Sequence, residues 1–470
     1  MRDLVLRCGC SAALAVFMLL DPRAAGAQRP ADAAARTGAA VARWDTDSTP
    51  GCVVGVARAG ELVFTQAYGM ADLERNVPLS TSSILEAGSV SKQFTAAAVV
   101  LLAEDGRLSL DDDIRKYLPE VPDYGAPITI RHLLNHTSGL RDWGSVGAIA
   151  GQGRGVRAYT NDHALEIVAR QRALNYTPGQ EYSYTNSGYN LLAIVVARVS
   201  GESFASFTER RIFRPLGMHD TQWRDDPGRL VPRRAMAYGG SAERGWEVAQ
   251  PHEFVHGNGG LLTTVADLVK WDQARSTGGV GGPGFRATME ERGVLNDGSH
   301  ITYAAGLRVD SLAGVAEVSH TGSTGGYRAF LARYPDRGLA VAMLCNAGNV
   351  EPGRVGTDIA RAFLGLPDAP VVASGPPPPR TDSVVRQPIG EILGEYYSPD
   401  ADITLTLLER GGRLIAHRPP ADDIVLTQVD RDSFISRVGR IELVRDAGGT
   451  VTQLSVRASR VYDLRFDRVK

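Results

Sequence analysis

A hydroxyl and an amine one helical turn apart are the first residues in this chain that could do chemistry together. They are Ser89 and Lys92 in Glu86-Ala87-Gly88-Ser89-Val90-Ser91-Lys92-Gln93-Phe94-Thr95. Both side chains reach the same side of a first turn. An alkoxide forming on Ser89 would feel the positive end of the helix, and a desolvated Lys92 would be neutral enough to take the hydroxyl proton. S-x-x-K alone equally describes a serine cap followed by a solvated lysine, so other residues must decide.

Two further segments supply groups of the right kind. Tyr184-Thr185-Asn186 places a phenol where it can relay a proton with a lysine. Asn186 adds both a donor and an acceptor for an amide. In His320-Thr321-Gly322-Ser323, Gly322 would leave room for a substrate backbone, and the Ser323 amide could join that of Ser89 as an oxyanion hole. Nearby Tyr176, Tyr182 and Tyr189 read as packing, and His136, in a turn after an amphipathic helix, reads as structural. His252-Glu253-Phe254-Val255-His256 matches H-E-x-x-H. That pattern needs a helix, yet Pro251 precedes it and Gly257-Asn258-Gly259-Gly260 follows. Leu262 stands where a third histidine would fall, so no metal and no cofactor is expected.

The elements that must position these groups are legible as periodicities. Phe94, Ala97, Ala98, Leu101 and Leu102 mark one buried face of a helix that Gly106 ends. Residues 52–57 and 61–67 form a hairpin across Arg58-Ala59-Gly60. Asn186 enters a helix carrying Leu191, Leu192, Val195 and Val196. Residues 264–274 read as a helix with Thr264 and Asp267 in a capping relation, and 328–334 and 339–344 as strands. Residues 144–155 are Gly-rich and aperiodic, which predicts a surface loop, a lid beside the site.

The 470 residues are 43% hydrophobic and 22% charged, ordinary for a globular chain with material for more than one core. A net charge of -2 gives no argument for nucleic acid or an anionic membrane as partner. Arg2 and Arg7 precede an apolar run over 12–20 and then Ala25-Gly26-Ala27, the pattern of a secretion signal over 1–27. The run is too short to span a bilayer, so no transmembrane segment is expected after signal removal, and the expected location is periplasmic or secreted. Cys8 and Cys10 precede the run, the wrong place for lipid attachment. Cys52 and Cys345 remain; export permits a disulfide, but two buried free thiols in strands are the simpler account. Pro376-Pro377-Pro378-Pro379 lies in an extended linker. After it, short β runs beginning at 403, 414, 424, 434, 441, 451 and 461 read as a small antiparallel barrel.

With S-x-x-K, Y-x-N and H-T-G in this order, residues 48–365 resemble the class C β-lactamase and D-alanyl-D-alanine carboxypeptidase superfamily. His136-Thr137-Ser138-Gly139-Leu140 and Gly259-Gly260-Leu261-Leu262-Thr263-Thr264 also match. The resemblance implies an α+β fold, an antiparallel sheet flanked by helices with an all-helical region and the site between them. It implies Ser89 as nucleophile, Lys92 and Tyr184 sharing acid/base work, Asn186 on the substrate amide, and His320 and Thr321 on the strand that binds substrate. It also brings the strand of Cys52 antiparallel beside that of Cys345, near each other. The tail resembles a lipocalin-like module, which caps the site or assembles subunits in such proteins, so a homo-oligomer through the barrel is one expectation. The domains implied are 28–366 for the hydrolase, 367–388 for the linker and 389–470 for the barrel.

The expected function is an exported serine hydrolase acting on a small peptide or amide, of D,D-carboxypeptidase or D-aminopeptidase type. The alternatives are a carboxylesterase or weak β-lactamase, and, outside enzymes, a penicillin-binding sensor without turnover or an envelope binding module. The departure is His320, where β-lactamases usually carry lysine. An imidazole attracts a substrate carboxylate more weakly and with a pH dependence.

Overall fold

The structure, a computed structural model, describes residues 30–369 and 389–469. The expected secretion signal and the Pro-rich stretch of the linker lie outside the described residues. The site is built on a six-stranded sheet of β1 (Cys52–Arg58), β2 (Glu61–Tyr68), β3 (Arg308–Leu312), β4 (Val315–Thr324), β5 (Tyr327–Tyr334) and β6 (Leu339–Cys345). Their order is β3-β4-β5-β6-β1-β2, every neighbour antiparallel. The β1–β2 hairpin closes through Ala59 and Gly60, both at positive φ (50° and 87°), the twist a two-residue hairpin requires.

Alternation along β1 sends Val53 and Ala57 to one face and Cys52, Val54 and Val56 to the other. The first face is covered by helix Val265–Thr277 and the second by Pro352–Leu364, on which Pro30–Val41 packs. Apolar side chains are therefore needed on both faces, which is why β1 reads as a continuous apolar run.

Cys52 and Cys345 face each other in the β1–β6 register and are joined as a disulfide, their Cα atoms 4.0 Å apart. This corrects the expectation of free thiols: the partner is supplied by strand pairing 293 positions away, a distance over which local sequence carries no signal.

Between the sheet and a helical region built around Asn186–Ser200, helix Lys92–Glu104 is buried on every side from Lys92 to Leu102, not on one face alone. Its sequence has no charge between Lys92 and Glu104 that would need an exposed side. The Gly-rich stretch after Asp142 is also not wholly a loop. It begins as a helix, Trp143–Ile149, capped by the Asp142 carboxylate, which accepts from the Ser145 amide at 3.0 Å. Trp143, Val146 and Ile149 hold it down despite Gly144 and Gly147. Among the described residues, no single helix is long and apolar enough to cross a bilayer.

The C-terminal strands close into an eight-stranded antiparallel barrel from Gly394–Ser398 to Val461–Arg468. Closure depends on Gly394–Ser398, a short strand the sequence reading did not pick out, because it pairs with both Ile403–Arg410 and Val461–Arg468. The barrel docks on the helical region through polar contacts. Buried Asp400 accepts from Arg141 Nη1 at 2.6 Å and from Arg172 Nε at 2.8 Å, and its carbonyl accepts from Gln171 Nε2 at 2.9 Å. Arg418 donates to the carbonyls of Ala148 (2.6 Å) and Ile149 (3.2 Å), the end of the Trp143–Ile149 helix. The turn Ser459-Arg460 is held by the Arg460 carbonyl, which accepts from Asn175 Nδ2 (3.1 Å) and the Asp142 amide (3.3 Å).

Candidate active site

Ser89 sits in a 3-10 turn, Gly88–Ser91, that runs directly into helix Lys92–Glu104. Gly88 has φ 49°, and a Cβ there would lie 2.6 Å from the Ser323 amide nitrogen. Only glycine lets this turn approach β4 so closely. The Ser323 amide is thereby set against the turn that carries Ser89. Gly322 is a different case, and a correction. A Cβ on it would stand 2.1 Å from the Ala87 carbonyl oxygen, so its missing side chain makes room for the protein's own backbone and not for a substrate.

Strand β3 pairs with β4 only as far as Ser319, leaving residues 320–324 bonded on one side to β5. That uncovered edge borders the cavity, lined there by His320, Thr321, Ser323 and Thr324. The Thr321 methyl faces Gly353.

Lys92 is fully buried and its amine is held by three oxygens: Asn258 O at 2.7 Å, Asn186 Oδ1 at 3.0 Å and Ser89 Oγ at 3.2 Å. Burial pushes its pKa well below the usual lysine value, helped by Arg460 and Arg154 and opposed by Asp142. A neutral amine has two hydrogens. With both given to the two carbonyl oxygens, its lone pair is left for the Ser89 hydroxyl, the arrangement of a base before proton abstraction.

Asn186 opens helix Asn186–Ser200, with Thr185 as its cap accepting from the Ser187 amide at 3.2 Å. Asp142 fixes this corner. Its carboxylate accepts from the Asn186 amide at 2.7 Å and from Thr185 Oγ1 at 3.4 Å. Tyr184 lies beside them with its ring centroid 4.8 Å from Lys92 Nζ. Its hydroxyl is buried, and among the described residues only the Ser89 hydroxyl is near enough to act on it, short of a well-formed hydrogen bond. Burial raises its pKa, while the Ser89 hydroxyl and Arg460 oppose the rise, so it stands protonated. His136, buried at φ 60°, packs its ring 4.2 Å from that of Tyr184, and its Nδ1 accepts from the Thr185 amide at 3.3 Å. It is a support behind the phenol.

His320 is also buried, and both ring nitrogens are taken: Nδ1 lies 2.6 Å from the Thr321 carbonyl and Nε2 2.9 Å from the Tyr303 hydroxyl. Nδ1 therefore donates and Nε2 accepts. Burial, with Lys92 adding to it, brings its pKa down to about 3. The pH-dependent cation expected here is thus absent over the neutral range.

The H-E-x-x-H segment has no helix. His256 stacks on Phe204 with ring centroids 5.6 Å apart, and Glu253 pairs with Arg154. Behind the nucleophile turn, buried Glu86 accepts from Arg224 Nε at 2.8 Å and from the Gly260 amide at 3.0 Å. It thereby anchors the loop whose Asn258 carbonyl meets Lys92.

These groups open into a cavity of about 430 Å³ that Ser89, Tyr184, Asn186 and His320 all line. The sequence reading missed Asp142, Tyr303, Asn258 and three cavity arginines: Arg154, Arg308 and Arg460. None belongs to a short motif; only the match around Gly259-Gly260 pointed near one of them.

The architecture recurs in solved structures. The octameric penicillin-binding protein homologue from Pyrococcus abyssi is similar over 93% of this chain and 99% of that one, with TM-score 0.64 and 22% identity. A D-stereospecific amidohydrolase from Streptomyces sp. is similar over 70% and 98%, with TM-score 0.59 and 24% identity. In sequence, a penicillin-binding protein of Bacillus subtilis (strain 168) is 31% identical over 62% of this chain and 66% of its own length. D-aminopeptidases of Gluconobacter oxydans (strain 621H) and Brucella canis are 28% and 27% identical over 68% and 77% of this chain. The matches span 60% and 66% of those two proteins, so less than two thirds of each of these curated relatives is covered. The Beta-lactamase family profile matches residues 36–365, well over half the chain, and with the fold and motif order already described this chain belongs to the β-lactamase family.

Proposed function

We propose that this protein is an exported serine hydrolase that works through an acyl-enzyme on Ser89 and takes peptide or amide substrates of the D,D-carboxypeptidase or D-aminopeptidase type. The observation that carries it is the buried Lys92 amine, held by two carbonyl oxygens and 3.2 Å from Ser89 Oγ, so that once neutral it turns its lone pair to that hydroxyl. Neutral Lys92 takes the Ser89 proton as Oγ bonds to the substrate carbonyl carbon. The amides of Ser89 and Ser323 receive the charge on oxygen. Tyr184, protonated, gives a proton to the departing amine, and water then releases the acyl group by the reverse relay.

The D-aminopeptidase and penicillin-binding relatives support an amide substrate. The disulfide supports export, since such bonds persist in oxidising compartments. A His320 kept neutral argues against efficient β-lactam hydrolysis, which in this reading wants a fixed cation at that place.

Intact-mass measurement with a fluorophosphonate tests the chemistry. One adduct on the wild type, absent from Ser89→Ala, is expected; no adduct, or one that survives the substitution, overturns the assignment. Turnover of D-alanyl peptides is expected after the burst. A burst without turnover would make the protein an acylating sensor.

A further inference from the structure

The cavity has a charge pattern that the motifs do not announce. Three guanidinium groups, Arg154, Arg308 and Arg460, border it, and none of its lining residues is Asp or Glu. His320 adds no charge there, because its two nitrogens are committed to Thr321 and Tyr303. Arg154 already pairs with Glu253. Arg308 is largely exposed and lies 3.9 Å from Asp310.

Arg460 differs from both. It comes from the barrel, on the turn joining Val451–Ala458 to Val461–Arg468, and its carbonyl pins that turn to Asn175 and Asp142. Its side chain is about two-thirds buried and lies across the Tyr184 ring, 5.1 Å from the centroid. The carboxylate facing it, Asp142, stands 3.7 Å away, beyond hydrogen-bond range, and already accepts from Asn186 and Ser145. The guanidinium makes no side-chain hydrogen bond among the described residues. Five donors on a rigid fork, in the cavity that Ser89 also lines and held only by a long ion pair to Asp142 and the face of Tyr184, match a carboxylate in two parallel bonds.

We propose that Arg460, brought to the cavity by the barrel, anchors a carboxylate of the substrate bound at Ser89. This rests on the serine-hydrolase reading and narrows its substrate class. A substrate carrying a carboxylate near the bond is favoured, and one presenting a free ammonium there is opposed by the Arg460 charge. Arg460 is thus a specificity-determining residue supplied by a different domain from the nucleophile.

Two matched substrate pairs test it on the full chain. N-succinyl-D-alanine p-nitroanilide against its N-acetyl counterpart places a carboxylate on the acyl side. N-acetyl-D-alanyl-D-alanine against its C-terminal amide places one on the leaving side. For at least one pair the wild type is expected to prefer the carboxylate by about tenfold or more in kcat/KM, the scale of one charge-assisted bond. Compared at a pH on the plateau of each enzyme's rate profile, Arg460→Gln should bring that ratio close to one, mainly through the KM of the carboxylate partner, and Arg460→Lys should restore part of it. Arg460→Glu should turn the preference towards a substrate bearing an amine.

Fluorophosphonate labelling of Ser89 keeps the two readings apart. Wild type that fails to label fails as a serine hydrolase. Enzymes that all label, yet show no carboxylate preference or the same preference in Arg460→Gln, overturn the anchor alone. The docking bonds use the Arg460 carbonyl, which these side-chain changes retain, and a thermal midpoint within a few degrees of wild type checks that each variant is folded.

Discussion

At the scale of single residues, the site turns on how strongly the ammonium form of a lysine is disfavoured. Burial is the main cause, and Arg460 and Arg154 reinforce it by repelling the ammonium form. The base must be neutral, so acylation should rise with pH through the depressed Lys92 pKa and level off above it, well below the usual lysine range. Arg460→Gln removes a group that lowers this pKa, so the rising limb should move to higher pH. A limb unmoved in a pH–rate profile would show that the guanidinium does not act on Lys92. Lys92→Ala and Tyr184→Phe should each slow fluorophosphonate or peptide acylation by about 10²–10⁴-fold while the protein stays folded. Rates equal to wild type in stopped-flow acylation would take both groups out of the proton relay.

At the scale of elements, the nucleophile turn and strand β4 touch through two glycines that tolerate no side chain. Gly322→Ala drives a methyl onto the Ala87 carbonyl, an overpacking that should cost about 1–3 kcal/mol in urea unfolding and displace Ser323 from the oxyanion position. A variant as stable as wild type but weaker only in KM would return that space to the substrate. The β1–β6 pair carries the disulfide across the sheet's central strands. In protein lacking residues 1–27, thiol titration under denaturing, non-reducing conditions should find no free thiol, and reduction should lower stability by about 2–5 kcal/mol.

At the scale of the whole molecule, the barrel is joined to the hydrolase region by buried charge as well as by apolar packing. Asp400 is a carboxylate clamped by Arg141 and Arg172, and Arg141 is itself almost fully buried. Asp400→Ala strands that guanidinium and should cost about 3–5 kcal/mol, because a buried ion pair is most costly when one partner is removed. Hydrogen exchange should then quicken at 460–462 and 171–175, where the Arg460 and Asn175 contacts lie. The carboxylate preference attributed to Arg460 should weaken with it. Unchanged exchange would mean that the remaining contacts, Arg418 on the Ala148 and Ile149 carbonyls among them, seat the barrel without Asp400.

What the amino-acid sequence determined by itself was local. Ser89 and Lys92 are one turn apart, Asn186 enters its helix, and an apolar run along β1 and short β runs through the tail mark strands, because each of these depends on neighbours within a few positions. The tertiary structure decided everything that depends on what lies across space. It joined Cys52 to Cys345, filled the room beside Gly322 with Ala87, and turned a Gly-rich stretch into a helix under Trp143. It also silenced the charge of His320 and brought Arg460 from the last hairpin to the face of Tyr184. The division has one physical cause: backbone conformation follows from adjacent residues, whereas desolvation, strand register and the field at a titrating group are set by segments far apart in the chain, and those meet only in the folded molecule.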